Sequence, residues 1–206
     1  MKTHRQSVQG AFTLIEILIT ITIVAILASL TVAGISHAMT TANNLKVRTV
    51  VMELKNGIES YYTDYNRYPV SSNFAGANGE DGPELLTDGS SPVVDALMGI
   101  PPASSGTPDL NPKRTPFANF VPANGDRHGL VGTARPYKLN DMYGRPYHIL
   151  LDTNGDNQVK NPDAANTDPK ISQNQAAHLV MKVAVYSSGK DQTPLTSDDI
   201  TSWRPK

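Results

Sequence analysis

Residues 10–35 read GAFTLIEILITITIVAILASLTVAGI, an apolar run broken by one carboxylate, Glu16, near its start. From Ile17 to Ile35 there is no charge. As a helix that span rises about 28 Å at ~1.5 Å per residue, close to a hydrocarbon core of roughly 30 Å. Lys2, His4 and Arg5 form a short basic leader ahead of it. An ordinary secretory signal does not place a carboxylate just inside its apolar run, and its small-residue cleavage site follows that run. Lysine and arginine counts do not orient the segment, because Lys2 and Arg5 precede it while Lys46 and Arg48 follow it.

The helix is expected to continue past the membrane. Val47, Val50, Val51, Leu54, Ile58, Tyr61, Tyr62 and Tyr65 recur at three- and four-residue steps, with Lys46, Arg48, Glu53, Lys55 and Glu59 largely between them. That pattern predicts an amphipathic helix with one apolar stripe. Gly34 and Gly57 weaken it locally, each by about 1 kcal/mol relative to Ala. Pro69 predicts its end near Tyr68.

The chain has 206 residues and a net charge of -1, which gives no electrostatic reason to expect nucleic acid as a partner. Outside the apolar helix it is long enough for one modest domain. With 15 Gly and 15 Pro, that domain should be loop-rich. It has no cysteine, which excludes disulfide staples and cysteine-ligated metals. Residues 70–144 are rich in Gly, Pro, Ser and Asn and predict a long ordered loop with a short helix at 93–98. The runs 147–151 and 178–186 predict two antiparallel strands joined by the polar stretch 153–177. In the second, Leu179, Met181, Val183 and Val185 share one face. Their apolar face would cover the helix stripe, giving an α+β fold: a long N-terminal helix under a small antiparallel sheet with long loops.

The N-terminal residues resemble the class III signal of type IV pilins and type II secretion pseudopilins, in which Phe-Thr-Leu-Ile-Glu opens a long apolar helix. Phe12, Thr13, Leu14, Ile15 and Glu16 match it position by position. The resemblance implies a leader at 1–11, cut by a prepilin peptidase on the cytoplasmic side, and N-methylation of Phe12. It further implies a transmembrane and filament-core helix at 12–36, an amphipathic continuation at 37–69, and a periplasmic domain at 70–206. That domain divides into a variable loop (70–144) and a sheet with a calcium-type loop (145–206). The family normally has Gly before the Phe, where this chain has Ala11. Cutting between Ala11 and Phe12 keeps Glu16 fifth in the mature chain. Cutting between Gly10 and Ala11 keeps the usual Gly but moves Glu16 to sixth. The first is preferred.

A carboxylate in hydrocarbon costs several kcal/mol unless paired. The resemblance gives Glu16 its partner, the N-terminal amine of a neighbouring subunit, which drives assembly and sets axial register. The plainer reading is a Glu snorkelling to the headgroups.

The tail from Val185 to Trp203, with Ser-x-Gly-x-Asp, a short loop, Asp-Asp-Ile and a Trp, resembles the C-terminal calcium loop of the major type II secretion pseudopilin. Carried over, the ligands are the carboxylates of Asp191, Asp198 and Asp199 and the carbonyl of Ser188. The plainer reading is a solvated acidic turn. Calcium would close this loop without the C-terminal disulfide that many type IV pilins carry. Asp152, Asn154, Asp156 and Gln158 resemble the start of an EF-hand calcium loop. In that comparison Asn157 replaces the usual Gly and Asp163 stands at the bidentate Glu position. The plainer reading there is a turn of Asn, Gly and Asp. Asp141 to Tyr147 resembles the structural turn that leads into a strand in the same pseudopilins. A His148/His178 metal pair across the two strands has no third ligand.

No nucleophile motif or phosphate-cradling loop appears, so no catalytic residues and no enzymatic activity are expected. The resemblance implies a structural subunit, most like the major pseudopilin. It would reside single-pass in the inner membrane, in contact with lipid, and then enter a homo-oligomeric helical filament in the periplasm that drives protein export. Its partners would be the prepilin peptidase, the inner-membrane assembly platform and minor pseudopilins. The alternatives are a type IV pilin of a surface fibre and a membrane-anchored periplasmic calcium-binding module that never polymerises.

Overall fold

A single helix of 52 residues, α1 (Leu14–Tyr65), opens the chain and carries both its apolar segment and its amphipathic stripe. The computed structural model describes residues 12–77 and 79–204. The chain divides into two units, Met1–Ala42 and Asn43–Lys206.

In the first unit, α1 contains a window of mean hydropathy 2.5 with none of it buried in the chain itself. Leu14, Ile15, Ile19, Ile23, Leu27 and Leu30 all point outward. The hydroxyls in this apolar stretch are satisfied within the helix: Thr20 donates to the Ile17 carbonyl and Thr22 to that of Leu18, at 2.9 and 2.7 Å. Ser29 and Thr31 donate to the Ile26 and Ala28 carbonyls, at 2.8 Å each. Such back-bonding lets a hydroxyl sit where no water is available.

In the second unit, Val47, Val51, Leu54, Ile58 and Tyr61 form a fully buried stripe on α1. Full burial of side chains this size stabilises by about 1.5–3 kcal/mol each. Val50, Tyr62 and Tyr65 flank the stripe and are partly buried. The helix stops at Tyr65, three residues before the expected end, because Asn66 turns left-handed at φ 51° and its N–H bonds the Tyr62 carbonyl at 2.7 Å. Asn accepts that conformation more readily than most residues and closes helices for that reason. Gly57 on α1 admits a close approach, since a Cβ there would meet the Phe117 carbonyl oxygen at 3.1 Å.

The stripe shares one hydrophobic core with a four-stranded antiparallel sheet ordered β1 (Leu85–Leu86), β4 (His148–Leu151), β7 (Val183–Ser187), β8 (Ile200–Thr201). Register pairs Ile149 with Val185 and Leu151 with Val183, and these four apolar residues enter the core beside Tyr147. The short helix α2 (Val93–Leu97) closes the core with Val93, Val94 and Leu97. The expected loop over 70–144 is therefore less irregular than its composition suggests: it supplies β1, α2 and a separate hairpin of β2 (Gly129–Val131) and β3 (Lys138–Asn140).

The run 178–186 is not one strand. It splits into β6 (His178–Leu179), which pairs with β5 (Val159–Lys160), and β7 in the main sheet. Val180 between them is 78% exposed. Leu179 and Met181 therefore do not share the buried face of Val183 and Val185. All five residues of β7 are buried, because Ala184 and Tyr186 on its second face are covered as well. His148 and His178 fall in different sheets and form no pair. The stretch between β5 and β6 carries a 3₁₀ turn at Pro162–Ala165 and the one-turn helix α3 (Pro169–Ser172).

Two buried tyrosines differ in hydrogen bonding. Tyr61 donates its hydroxyl to the Leu110 carbonyl, whereas the buried Tyr147 hydroxyl has no partner among the described residues. A made bond contributes about 1 kcal/mol and an unmade one costs about 1–3 kcal/mol. Tyr61→Phe should lower stability by about 1 kcal/mol in denaturant unfolding, while Tyr147→Phe should leave it unchanged or raise it.

Asp95 in α2 is buried and accepts the Tyr137 N–H at 2.9 Å. Burial pushes its carboxyl up from the ordinary value of 3.8, with the Tyr137 N–H and then Arg135 partly offsetting this. A carboxyl whose folded pKa is raised contributes stability that is complete below its unfolded value and lost as pH rises through the folded one. The stability of the native chain relative to Asp95→Asn should therefore fall as pH rises from about 3.8, measured by unfolding both across a pH series.

Candidate functional site

At the chain start, Phe12 is 81% exposed. Gly10 and Ala11, the alternative residues before the cut, lie outside the described residues. Thr13 and Glu16 form a reciprocal cap on α1. The Thr13 N–H and hydroxyl both donate to Glu16 Oε2 at 2.8 Å, and the Glu16 N–H donates to Thr13 Oγ1 at 3.3 Å. Thr-x-x-Glu at a helix start satisfies donors that the first turn leaves free. Glu16 thus has a local role in the lone chain and stands at the edge of an exposed apolar surface.

The C-terminal loop between β7 and β8 gathers three of the expected acidic residues. Asp198 Oδ2 accepts the N–H groups of Lys190 and Asp191 at 2.6 and 3.0 Å, bending the loop around its carboxylate. Asp199 Oδ2 accepts the N–H groups of Leu195 and Thr196 at 2.9 and 3.2 Å. The Oδ1 atoms of both aspartates face the same hydroxyl, Thr196 Oγ1, at 2.8 and 3.5 Å. Asp191 Oδ1 accepts the Thr193 N–H, and the Asp191 side chain lies within hydrogen-bonding reach of Asp198. Burial pushes the Asp199 carboxyl up to about 6, against the N–H groups that hold it down. Burial acts on Asp198 in the same direction, but the Asp191 and Lys190 N–H groups and Thr196 outweigh it and hold that carboxyl below the ordinary range.

This donor set fits a hard cation. Gly189 (φ 66°) lets Asp198 pack directly on the loop, since a Cβ there would collide with the Asp198 carbonyl oxygen and lie 2.7 Å from Asp198 Oδ2. Among the described residues, no three acidic or imidazole side chains make a ready-made metal group. A cation held in this loop would have to draw on backbone carbonyls beside the carboxylates, as calcium can. Ser188, the fourth expected residue, is buried at the root of the loop.

The loop after β4 uses its oxygens differently. Asp152 Oδ1 and Oδ2 accept the N–H groups of Gly155 and Asn157 at 2.7 and 2.9 Å. Asn154 and Asp156 accept those of Asp156 and Gln158. Asn157 takes φ 63°, the left-handed conformation for which an EF-hand uses Gly. Asp163 is committed elsewhere. It accepts Trp203 Nε1–H at 2.7 Å through Oδ2, and its Oδ1 lies 2.9 Å from the Arg204 guanidinium in an ion contact rather than an aligned hydrogen bond. The Arg204 carbonyl in turn accepts from the Arg48 side chain at 3.1 Å. Asp163 thus anchors the C-terminal segment without cysteine. Asp163→Ala strands a mostly buried guanidinium and should cost about 3 kcal/mol. A large fall in melting temperature is expected, together with faster proteolysis of the last residues.

Local sequence patterns gave no sign of the contacts at Ser188. Its hydroxyl meets His148 Nε2 at 3.1 Å, and His148 Nδ1 meets Glu84 Oε1 at 3.0 Å. The His148 ring stacks on Tyr186, with centroids 4.4 Å apart. The order Ser-His-Glu is that of a nucleophile relay. However, Ser188 is 2% exposed, and the neighbouring cleft of about 810 Å³ is lined by Glu84 and Tyr186 but not by Ser188 or His148. These contacts tie Ser188, at the root of the loop, to the sheet. Next to it, Ser187 donates to Asp141 Oδ2 at 2.5 Å and accepts the Gly189 N–H at 3.2 Å. Asp141 Oδ1 also accepts the Tyr143 and Arg145 N–H groups, building the turn that the sequence suggested.

Residues 6–32 match the family model described as the prokaryotic N-terminal methylation motif. The match supports a type IV pilin-like N-terminus of the kind processed by a prepilin peptidase, and the apolar helix fits a membrane-anchored protein of that type. No curated protein matches the chain, and no solved structure does.

Proposed function

We propose that this chain is a pseudopilin, a structural subunit of the pseudopilus of a type II secretion system. The observation that carries the reading is the outward-facing apolar surface of α1, with one carboxylate, Glu16, at its start and a methylation motif across it. Such a surface needs lipid or copies of itself. In lipid the lone chain resides single-pass, with Glu16 turned onto Thr13. After cleavage between Ala11 and Phe12, the new amine at Phe12 becomes the base that Glu16 of a neighbouring subunit lacks. One acid and one base at a fixed offset on each helix set the axial step of a helical filament.

The second unit would then stand outside the membrane, with the Asp191, Asp198 and Asp199 carboxylates and the Ser188 carbonyl available to hold calcium. Bound calcium would neutralise clustered carboxylates that otherwise repel one another. This acidic loop and the absence of cysteine favour the secretion pseudopilus over a surface fibre.

The test begins with the mass of the mature protein. A chain starting at a methylated Phe12 is expected; an intact Met1 chain overturns every filament reading. Glu16→Val should be cleaved normally yet fail to assemble. Deletion should abolish enzyme secretion while surface fibres persist, and loss of fibres with secretion intact would make it a pilin. Chelation should lower the melting temperature of the full chain in detergent. Asp198→Ala with Asp199→Ala should remove that dependence.

A further inference from the structure

We infer that Glu84 and His148 are positioning residues for cation binding by the C-terminal acidic loop, although neither belongs to the loop. This rests on the calcium reading of Asp191, Asp198 and Asp199 proposed above. The two residues come from β-sheet positions distant in sequence. Glu84 immediately precedes β1, and His148 opens β4 opposite Tyr186 of β7. Their side chains meet at 3.0 Å, and the far nitrogen of the imidazole meets the Ser188 hydroxyl at 3.1 Å.

The direction of these bonds follows from their chemistry. A carboxylate only accepts, so Nδ1 of His148 carries a proton and Nε2 of the neutral ring is left as an acceptor. In that neutral form the Ser188 hydroxyl donates to Nε2; a protonated ring would donate to Ser188 instead, and the contact is kept either way. Stacking on Tyr186, 16° from parallel, removes the remaining freedom of the ring. Outer groups that orient a ligand in this way are a regular part of metal sites.

Ser188 lies where such support matters. On one side Ser187 is fixed by Asp141 and fixes the Gly189 N–H. On the other, Gly189 turns left-handed directly beneath Asp198. With Ser188 held by its side chain, the backbone at the root of the loop is pinned at three successive residues. The loop can then present its oxygens without first being ordered, and a preordered site spends less binding energy on organisation.

The test is a calorimetric calcium titration of the full chain in detergent, with the melting temperature in chelator read separately. Glu84→Ala, His148→Ala and Ser188→Ala should each weaken calcium about tenfold, the lower end for outer-shell groups. Glu84→Gln still accepts from Nδ1–H and should bind almost as the native chain does. The pair Glu84→Ala with Ser188→Ala should lose no more than either alone, because both break one chain of contacts. Ser188→Ala removes a single oxygen and keeps the test open if His148→Ala does not fold.

If the native chain binds no calcium, both this inference and the calcium reading fall. If the native chain binds and Asp198→Ala with Asp199→Ala abolishes it, while Glu84→Ala binds as tightly as native, only this inference is overturned. Additive losses in the Glu84/Ser188 pair would overturn the route through Ser188. A drop in the chelator melting temperature with unchanged calcium affinity would reduce the relay to ordinary sheet support and overturn the inference as well.

Discussion

The second unit depends on the burial of one helix stripe, Val47, Val51, Leu54, Ile58 and Tyr61, in a core shared with Ile149, Leu151, Val183 and Val185. The strands that cover it are too short to stand alone, since β1 and β8 have two residues each and β4 has four. A small ribbon of that kind is marginal in water without an element to pack on. The helix supplies the apolar surface and the strands supply the lid. The long chain excursion between α1 and β4 joins the same core through Leu85, Val93, Val94, Leu97 and Leu139.

Short strands leave many backbone groups without ladder partners, and buried polar groups must be paired. This chain meets the demand with side chains. Thr87 accepts the Tyr147 N–H and donates to the Leu139 carbonyl. Asn111 donates to the Ala96 and Thr115 carbonyls. Asp141, Asp152 and Asn161 each accept nearby N–H groups. The abundance of Asn, Asp and Thr in the loops is therefore structural in large part. Several acidic residues here act as backbone caps. The same accounting separates the two candidate calcium loops: Asp163 is drawn away to Trp203 and Arg204, whereas the Oδ1 atoms of Asp198 and Asp199 still converge.

The helix and its buried face were legible because helical periodicity is local: every stripe residue expected from spacing is buried or partly buried. The strand at 148–151 and the helix at 93–97 were legible for the same reason. The early stop at Tyr65 was not, because it depends on one Asn taking a positive φ. The run 178–186 read as one strand because Leu179, Met181, Val183 and Val185 alternate at period two. Its division comes from two different pairing partners, β5 and β4, and tertiary pairing overrides such propensity. The acidic residues of the tail loop were visible as a cluster, but their support was not. Glu84, His148 and Ser188 are separated by 64 and 40 positions, and only the sheet register brings them together.

The absence of cysteine sharpens what the tail must do. A disulfide would close the C-terminal segment by constraining the unfolded chain. Here closure is distributed over Asp163 on Trp203 and Arg204, Asp141 on Ser187, and Glu84 with His148 on Ser188. These contacts are polar and reversible, and each ends on a residue within or beside the acidic loop. A staple made this way responds to the charge state of the loop, which a disulfide does not. On the calcium reading proposed above, a cation on the Asp191, Asp198 and Asp199 carboxylates would tighten the same segment that these contacts hold.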